Sequence, residues 1–175
     1  MMRKVLVTGG IASGKSEVCR RLALNGYPVY DSDSRTKALY DSVPGLKKRI
    51  EDALELPFEN LSEIFENPSK LETLEGIVHP LVLEDFRKWT SEQKGDVVFF
   101  ESAIALEKPL FKDEFDSVIL VEAPLAVRRH RNPKVGQRAH LQKFDKSRAD
   151  VVIRNNGTLE SLYAKIDKLY ENRSC

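Results

Sequence analysis

Gly9-Gly10-Ile11-Ala12-Ser13-Gly14-Lys15-Ser16 stands between a short β-rich run at residues 4–8 and a helical pattern that begins at Lys15. The run satisfies G-x-x-x-x-G-K-[ST] in the strand-loop-helix setting that gives this motif its meaning. Glycines allow successive backbone N–H groups to turn inward around phosphate oxygens, and the helix N-terminus adds partial positive charge. Lys15 is expected to reach the β- and γ-phosphates, and the Ser16 hydroxyl to ligate Mg²⁺. A nucleotide-binding loop is therefore predicted at Gly10, Ile11, Ala12, Ser13, Gly14, Lys15, Ser16 and Glu17. A dinucleotide fingerprint fits less well, because Ile11 and Ala12 stand where G-x-G-x-x-G needs its second glycine.

A loop of this kind needs a strand behind it, and further strands follow. Residues 27–30, 97–101, 117–122 and 151–153 are short apolar runs, two of them closing on an acid, as buried parallel strands do. The first helix carries Val18, Cys19 and Leu22 inward, and Asn25-Gly26 supplies its stop. A closing amphipathic helix carries Leu159, Leu162, Tyr163, Ile166, Leu169 and Tyr170. Alternating strands and helices predict an α/β fold, a five-stranded parallel sheet with helices on both faces.

From Ser34 to about Lys94 the pattern is helical, with loops at Pro44-Gly45 and Leu56-Pro57. Asn67-Pro68 reads as a capped helix start, with Leu71, Leu74, Ile77, Val78 and Leu81 as its inner face and Pro80 as a kink point. The expected division is a nucleotide-binding core at 1–33 and 96–175, with a lid at about 129–146, and a helical insertion at 34–95.

Composition narrows the partners. Lys plus Arg total 28 against 27 for Asp plus Glu, a net charge of +1. That balance offers no general attraction to nucleic acid or an anionic membrane, so neither partner is expected. Cys19 and Cys175 lie far apart and form neither a disulfide framework nor a metal cluster pattern, which fits a reducing compartment. The opening apolar stretch is too short for a signal peptide and no run reaches membrane-spanning length, so a cytoplasmic protein is expected.

Three groups of side chains are candidates for the chemistry. Asp31-Ser32-Asp33 follows the second strand, at the sheet end where ligands of open parallel sheets bind. An acid there can accept a proton from an attacking hydroxyl or hold a metal through water; capping the next helix is the alternative role. Glu101 ends the third strand in the position of a Walker B acid that orients Mg²⁺, with an ordinary surface acid as the alternative. Arg128, Arg129, Arg131 and Arg138 crowd the segment after the fourth strand, where guanidinium forks suit a transferring phosphoryl group and a solvated basic helix face is the other reading. Arg131 and Arg138 are taken as the functional pair. His130 and His140 have no metal-ligand spacing, and His79 alone reads as a packed or capping residue.

Taken in order, these residues resemble the dephospho-coenzyme A kinase family. The loop at Thr8 to Ser16 and Asp31-Ser32-Asp33 match its opening motifs, and Leu74-Glu75-Gly76-Ile77-Val78-His79-Pro80-Leu81 its L-E-x-I-x-H-P-L segment. Residues 101–107 resemble its strand followed by P-L-L-F-E. Arg138-Ala139-His140-Leu141-Gln142 and Ala149-Asp150-Val151-Val152-Ile153-Arg154-Asn155-Asn156-Gly157 match two later motifs. Ala12 replaces the family's usual glycine, Glu17 its usual threonine and Ala103 its proline. The resemblance implies ATP-dependent phosphorylation of the ribose 3′-hydroxyl of 3′-dephospho-coenzyme A, with ATP and Mg²⁺ as cofactors and a monomer as default. It implies Asp33 as base, with Lys15, Arg131 and Arg138 as stabilisers of the transferring group. Asn155 and Gly157 would lie near adenine, and Asp31, Asp33, His79 and Glu101 on the substrate side. Another small-molecule or nucleotide kinase of the same fold is the nearest alternative; a nucleotide switch without turnover is a further one, against which Lys15, Ser16 and Asp33 are all present and no N-K-x-D tetrapeptide is found.

Overall fold

The structure is a computed structural model that describes residues 1–135 and 144–170. Strands β1 (Arg3–Gly9), β2 (Val29–Asp31), β3 (Val97–Glu101), β4 (Ser117–Glu122) and β5 (Val151–Arg154) form one sheet in the order β2-β3-β1-β4-β5. Every neighbouring pair is parallel, with Val7 opposite Glu101 on one side of β1 and opposite Ile119 on the other. β1 lies at the centre because its middle is a continuous apolar run: Val5, Leu6 and Val7 are fully buried, with side chains on both faces. On one face Val5, Val7, Phe99, Ile119, Val121 and Ile153 pack with Val18, Cys19, Leu22, Leu162 and Ile166. On the other, Phe100 stacks on Tyr30 at 5.1 Å and meets Phe111 and Phe115 at 5.8 and 5.2 Å.

Helix α1 (Lys15–Leu24) brings Val18, Cys19 and Leu22 into that core. Its end is a Schellman turn: Tyr27 N–H donates to the Leu22 carbonyl at 3.1 Å and Gly26 N–H to the Ala23 carbonyl at 3.0 Å. The final helix, α6 (Leu159–Leu169), starts where the Thr158 hydroxyl accepts from Ser161 N–H at 3.1 Å. Leu162 and Ile166 are its buried positions, and Tyr163 and Tyr170 pack against the same core, whereas Leu159 and Leu169 are exposed. The two helices are joined side chain to side chain at matched four-residue steps: Glu17 to Tyr163, then Arg21 and Asn25 to Asp167.

The chain folds as two compact units, one formed by residues 1–31 and the chain from residue 93 on, the other by Ser32–Glu92. The second unit contains α2 (Ser32–Ser42), α3 (Leu46–Leu54), a 3-10 segment (Phe58–Glu66) and α4 (Pro68–Glu92). Leu46, Ile50, Leu54, Ile64, Leu74 and Val78 are among its buried apolar residues, and Arg35 holds Asp85 with two bonds of 2.9 and 2.8 Å. Helix α4 runs through Pro80, and Asn67 caps its start by accepting from Lys70 N–H at 3.1 Å. Its buried face corrects the expectation from sequence: Leu71, Ile77 and Leu81 are only half-buried, while Leu74, Val78, Val82, Phe86 and Thr90 are buried at steps of four. The stripe continues past Leu81 because the helix extends to Glu92, well beyond the last position that the apolar pattern marks.

Candidate nucleotide site

The carboxyl end of the central strand turns at Gly9 into the loop, and the loop turns into α1 at Gly14, whose backbone is left-handed with φ 99°. Ser13 N–H closes the first turn on the Gly10 carbonyl at 3.1 Å, and Val18 N–H starts the helix on the Gly14 carbonyl at 3.1 Å. Ala12 is also left-handed, at φ 59°, a backbone region that favours glycine. The hydroxyls of Thr8 and Ser13 are buried here without hydrogen-bond partners. Thr8 belongs to the end of β1, and Ser13 to the loop.

Two elements hold the loop from outside. Helix α5 (Leu125–Arg131) presents Arg128 and Arg131, three residues apart and so on one face. Arg128 Nε donates to the Ile11 carbonyl at 2.9 Å, and Arg131 Nη1 donates to the Ala12 carbonyl at 3.1 Å. Arg131 Nη2 also reaches the Asn155 carbonyl at 3.5 Å. From the end of β5, the buried Asn155 donates through Nδ2 to the Ser13 carbonyl at 2.9 Å. With the carbonyls of Ile11, Ala12 and Ser13 drawn outward, the amides of Ala12 and Gly14 in the same planar peptides point the opposite way, while Ser13 N–H is taken by the Gly10 carbonyl.

Lys15 and Ser16 open α1 and meet Glu101 from the adjacent strand end. Ser16 Oγ donates to Glu101 Oε1 at 2.9 Å, and Lys15 Nζ lies 3.8 Å from the same oxygen. The register sets Asp31 beside Glu101 at the ends of β2 and β3. Behind them the Cys19 thiol is pushed well above its ordinary pKa, first by burial and then by the Glu101 charge, so it stays protonated.

The loop lines a cavity of about 300 Å³ together with Glu17, Arg131, Asn155, Gly157, Leu159 and Leu162. Of the residues expected at the nucleotide, Gly10, Ala12, Ser13, Gly14, Lys15, Ser16, Glu17, Asn155 and Gly157 line it; Ile11 instead gives its carbonyl to Arg128. Asp33 stands in the first turn of α2 and His79 on α4, both in the other unit. Arg138, His140 and Cys175 lie outside the described residues, and His130 is exposed. The sequence alone favours Arg138 over Arg128, and it does not mark Tyr163, Leu159 or Leu162 as site residues. The three-residue spacing of Arg128 and Arg131 is the available signal for the first; the closing helix is legible only as a core element.

The family model for dephospho-CoA kinase (CoaE) matches residues 3–161. A dephospho-CoA kinase of Porphyromonas gingivalis is 40% identical over 134 residues, covering 71% of this chain and 66% of that protein. A dephospho-CoA kinase of Fusobacterium nucleatum is 33% identical over 192 residues, covering 94% and 95%. Among solved structures, TT1252 from Thermus thermophilus superposes with a TM-score of 0.79 at 28% identity, covering 99% of both chains. With the family model spanning nearly the whole chain, the protein belongs to the dephospho-CoA kinase family.

Proposed function

We propose that this protein transfers the γ-phosphoryl group of ATP to the ribose 3′-hydroxyl of 3′-dephospho-coenzyme A, giving coenzyme A and ADP. The observation that carries the reading is the cradle itself: loop amides, Lys15 and the N-terminus of α1 converge on one cavity at the carboxyl end of the sheet, in a chain of this family. Phosphoryl transfer demands mostly positioning and charge stabilisation, and a rigid set of amides and cations supplies both.

In this reading the backbone from Gly10 to Glu17, with the side chains of Lys15 and Ser16, holds the triphosphate, and Asn155, Gly157, Leu159 and Leu162 receive the nucleoside. Lys15 binds oxygens of the β- and γ-phosphates, the two groups that part when the γ-phosphorus–oxygen bond breaks, and Arg131 and Arg138 stabilise charge on the transferring group. Asp33 accepts the proton of the attacking hydroxyl; it follows Asp31, the strand-end partner of Glu101, by two residues along the chain. Asp31, His79 and Glu101 orient the acceptor, and the helical unit 34–95 holds the coenzyme A precursor.

Ser16 and Glu101 suit Mg²⁺: a hydroxyl and a carboxylate 2.9 Å apart offer the one or two protein oxygens this ion takes when phosphates and waters complete its shell. When bound, Mg²⁺ supplies charge neutralisation between the β- and γ-phosphates. A monomer is the default state we assign. Among the described residues no helix is long and apolar enough to cross a membrane. A cytoplasmic enzyme acting on a small molecule, without nucleic-acid or membrane partners, is the setting we assign.

The test is incubation of the protein with ATP, Mg²⁺ and dephospho-coenzyme A, followed by mass analysis of the acceptor. Gain of one phosphate is expected. ATP consumption only with a different acceptor would move the assignment to another kinase, and binding without turnover on any acceptor would move it to a switch.

A further inference from the structure

Among the described residues that line the nucleotide cavity, Glu17 is the only acid. It stands in the first turn of α1, one residue after Ser16, where the helix N-terminus attracts negative charge. A bound polyphosphate seeks the same partial charge. The Glu17 carboxylate is not left loose: Oε2 accepts from the Tyr163 hydroxyl at 2.9 Å, and Oε1 lies 3.5 Å from Arg20 Nη1. Tyr163 is itself fixed, packed on the core with Arg21 over its ring at 5.0 Å. Arg20 is largely exposed, so the tyrosine is the firmer of the two tethers.

We propose that Glu17 is a resident counter-anion of the α1 N-terminus, latched against α6 by Tyr163, and that it sets the affinity for nucleotide polyphosphates low. With the cavity empty, Glu17 stabilises the helix end; with a polyphosphate present, two anions share one positive terminus. Tyr163 limits the conflict by holding the carboxylate on the α6 side. The charge acts on ATP and ADP alike, so it lowers binding uniformly and speeds release of the product nucleotide rather than the chemical step. The inference rests on the cavity being the ATP site, as proposed above.

Calorimetry of ADP and ATP with the full chain tests it, using Glu17→Gln, Tyr163→Phe and the double variant. Both replacements keep side-chain shape. Glu17→Gln is expected to bind both nucleotides roughly three- to ten-fold more tightly, the scale of one nearby half-screened charge. It is also expected to lower the melting temperature of the ligand-free protein, a sign opposite to its effect on binding. Tyr163→Phe should weaken both nucleotides roughly three-fold in the wild-type background and leave Glu17→Gln unchanged, because the hydroxyl then has no charge to hold. Raising salt should shrink the Glu17→Gln gain. Unchanged or weaker binding by Glu17→Gln, or a Tyr163→Phe effect that persists in the double variant, overturns the proposal while leaving the kinase assignment standing. Failure of the wild-type protein to bind either nucleotide overturns the assignment and the proposal together.

Discussion

The amide nitrogen of Asn155 occupies the space that a side chain on residue 14 would need: a Cβ built on Gly14 falls 2.0 Å from Asn155 Nδ2. The two residues come from the ends of different elements, and the contact lets Asn155 reach the Ser13 carbonyl at 2.9 Å. Gly14 is thus required twice, by its left-handed backbone at φ 99° and by the neighbour above it. Gly14→Ala should displace Asn155 and add the ~1–2 kcal/mol of a left-handed alanine. The expected result is ATP affinity at least about ten-fold weaker, with a lower melting temperature. Asn155→Ala should cost about 1–3 kcal/mol by leaving the buried Ser13 carbonyl unpaired. Denaturant titration checks both stability changes and calorimetry the affinity.

Ala12 carries the reverse expectation. Its φ of 59° strains an alanine and not a glycine. Ala12→Gly removes ~1–2 kcal/mol of strain and returns ~0.4–1 kcal/mol to the unfolded chain as entropy. A net stabilisation of about 0.5–1 kcal/mol should appear as a rise of a few degrees in melting temperature. A melting temperature that stays level or falls would show that the loop does not hold this conformation.

Arg128 passes close beneath the first turn of the loop. Its Nη2 is buried without a hydrogen-bond partner and lies 2.4 Å from the position of a Cβ on Gly10. Because Nε is tied to the Ile11 carbonyl, the guanidinium cannot withdraw without releasing the loop. Gly10→Ala should therefore weaken nucleotide binding about ten-fold in the wild-type background and much less in Arg128→Ala, a coupling within the ~0.5–3 kcal/mol found for residues in contact. Equal losses in the two backgrounds would separate Gly10 from Arg128.

Asp167 links acid stability to the α1–α6 seam. The bonds from Arg21 first, and then from Asn25, hold its carboxyl below the ordinary aspartate range. A depressed folded-state pKa contributes stability that is present above the unfolded value of about 3.9 and is lost as pH falls through the folded value. Asp167→Asn should accordingly be less stable than wild type at neutral pH, and the two should converge in acid below that window. Denaturant midpoints measured from pH 7 downward check the convergence; a constant gap down to the acid limit would contradict it.

The role proposed for Asp33 can be tested apart from nucleotide binding. Asp33→Asn should retain ATP affinity and lose most turnover, since an amide cannot take the hydroxyl proton, and removal of a general base costs on the order of 10²–10⁴-fold. A coupled assay for ADP with near-normal rates would refute its role as base.

The elements that read clearly from residues alone are those whose signal is local. The cradle at Gly9–Ser16 announces itself because the amides and side chains that make it lie within one short unbroken stretch. The strands at Val97–Glu101 and Ser117–Glu122 are legible to the residue, since continuous apolar runs have few other uses. Helix α4 is legible at its start, where Asn67 and Pro68 act on their own turn, and misread along its length, where burial depends on what packs against it.

What stands around the loop was decided by tertiary structure. The Arg128–Ile11, Asn155–Ser13 and Tyr163–Glu17 bonds join residues 117, 142 and 146 positions apart. A single chain of letters carries the identity of each partner but nothing that links them, so arginine, asparagine and tyrosine each keep their ordinary alternatives. Strand order supplies the missing link: once β1 lies between β3 and β4, the ends of β3, β4 and β5 deliver Glu101, the α5 arginines and Asn155 to the same loop. Local sequence determined the loop backbone that we read as a polyphosphate grip; only the packed sheet determined which distant side chains hold that loop in shape, because their contacts exist once burial has brought the strands together.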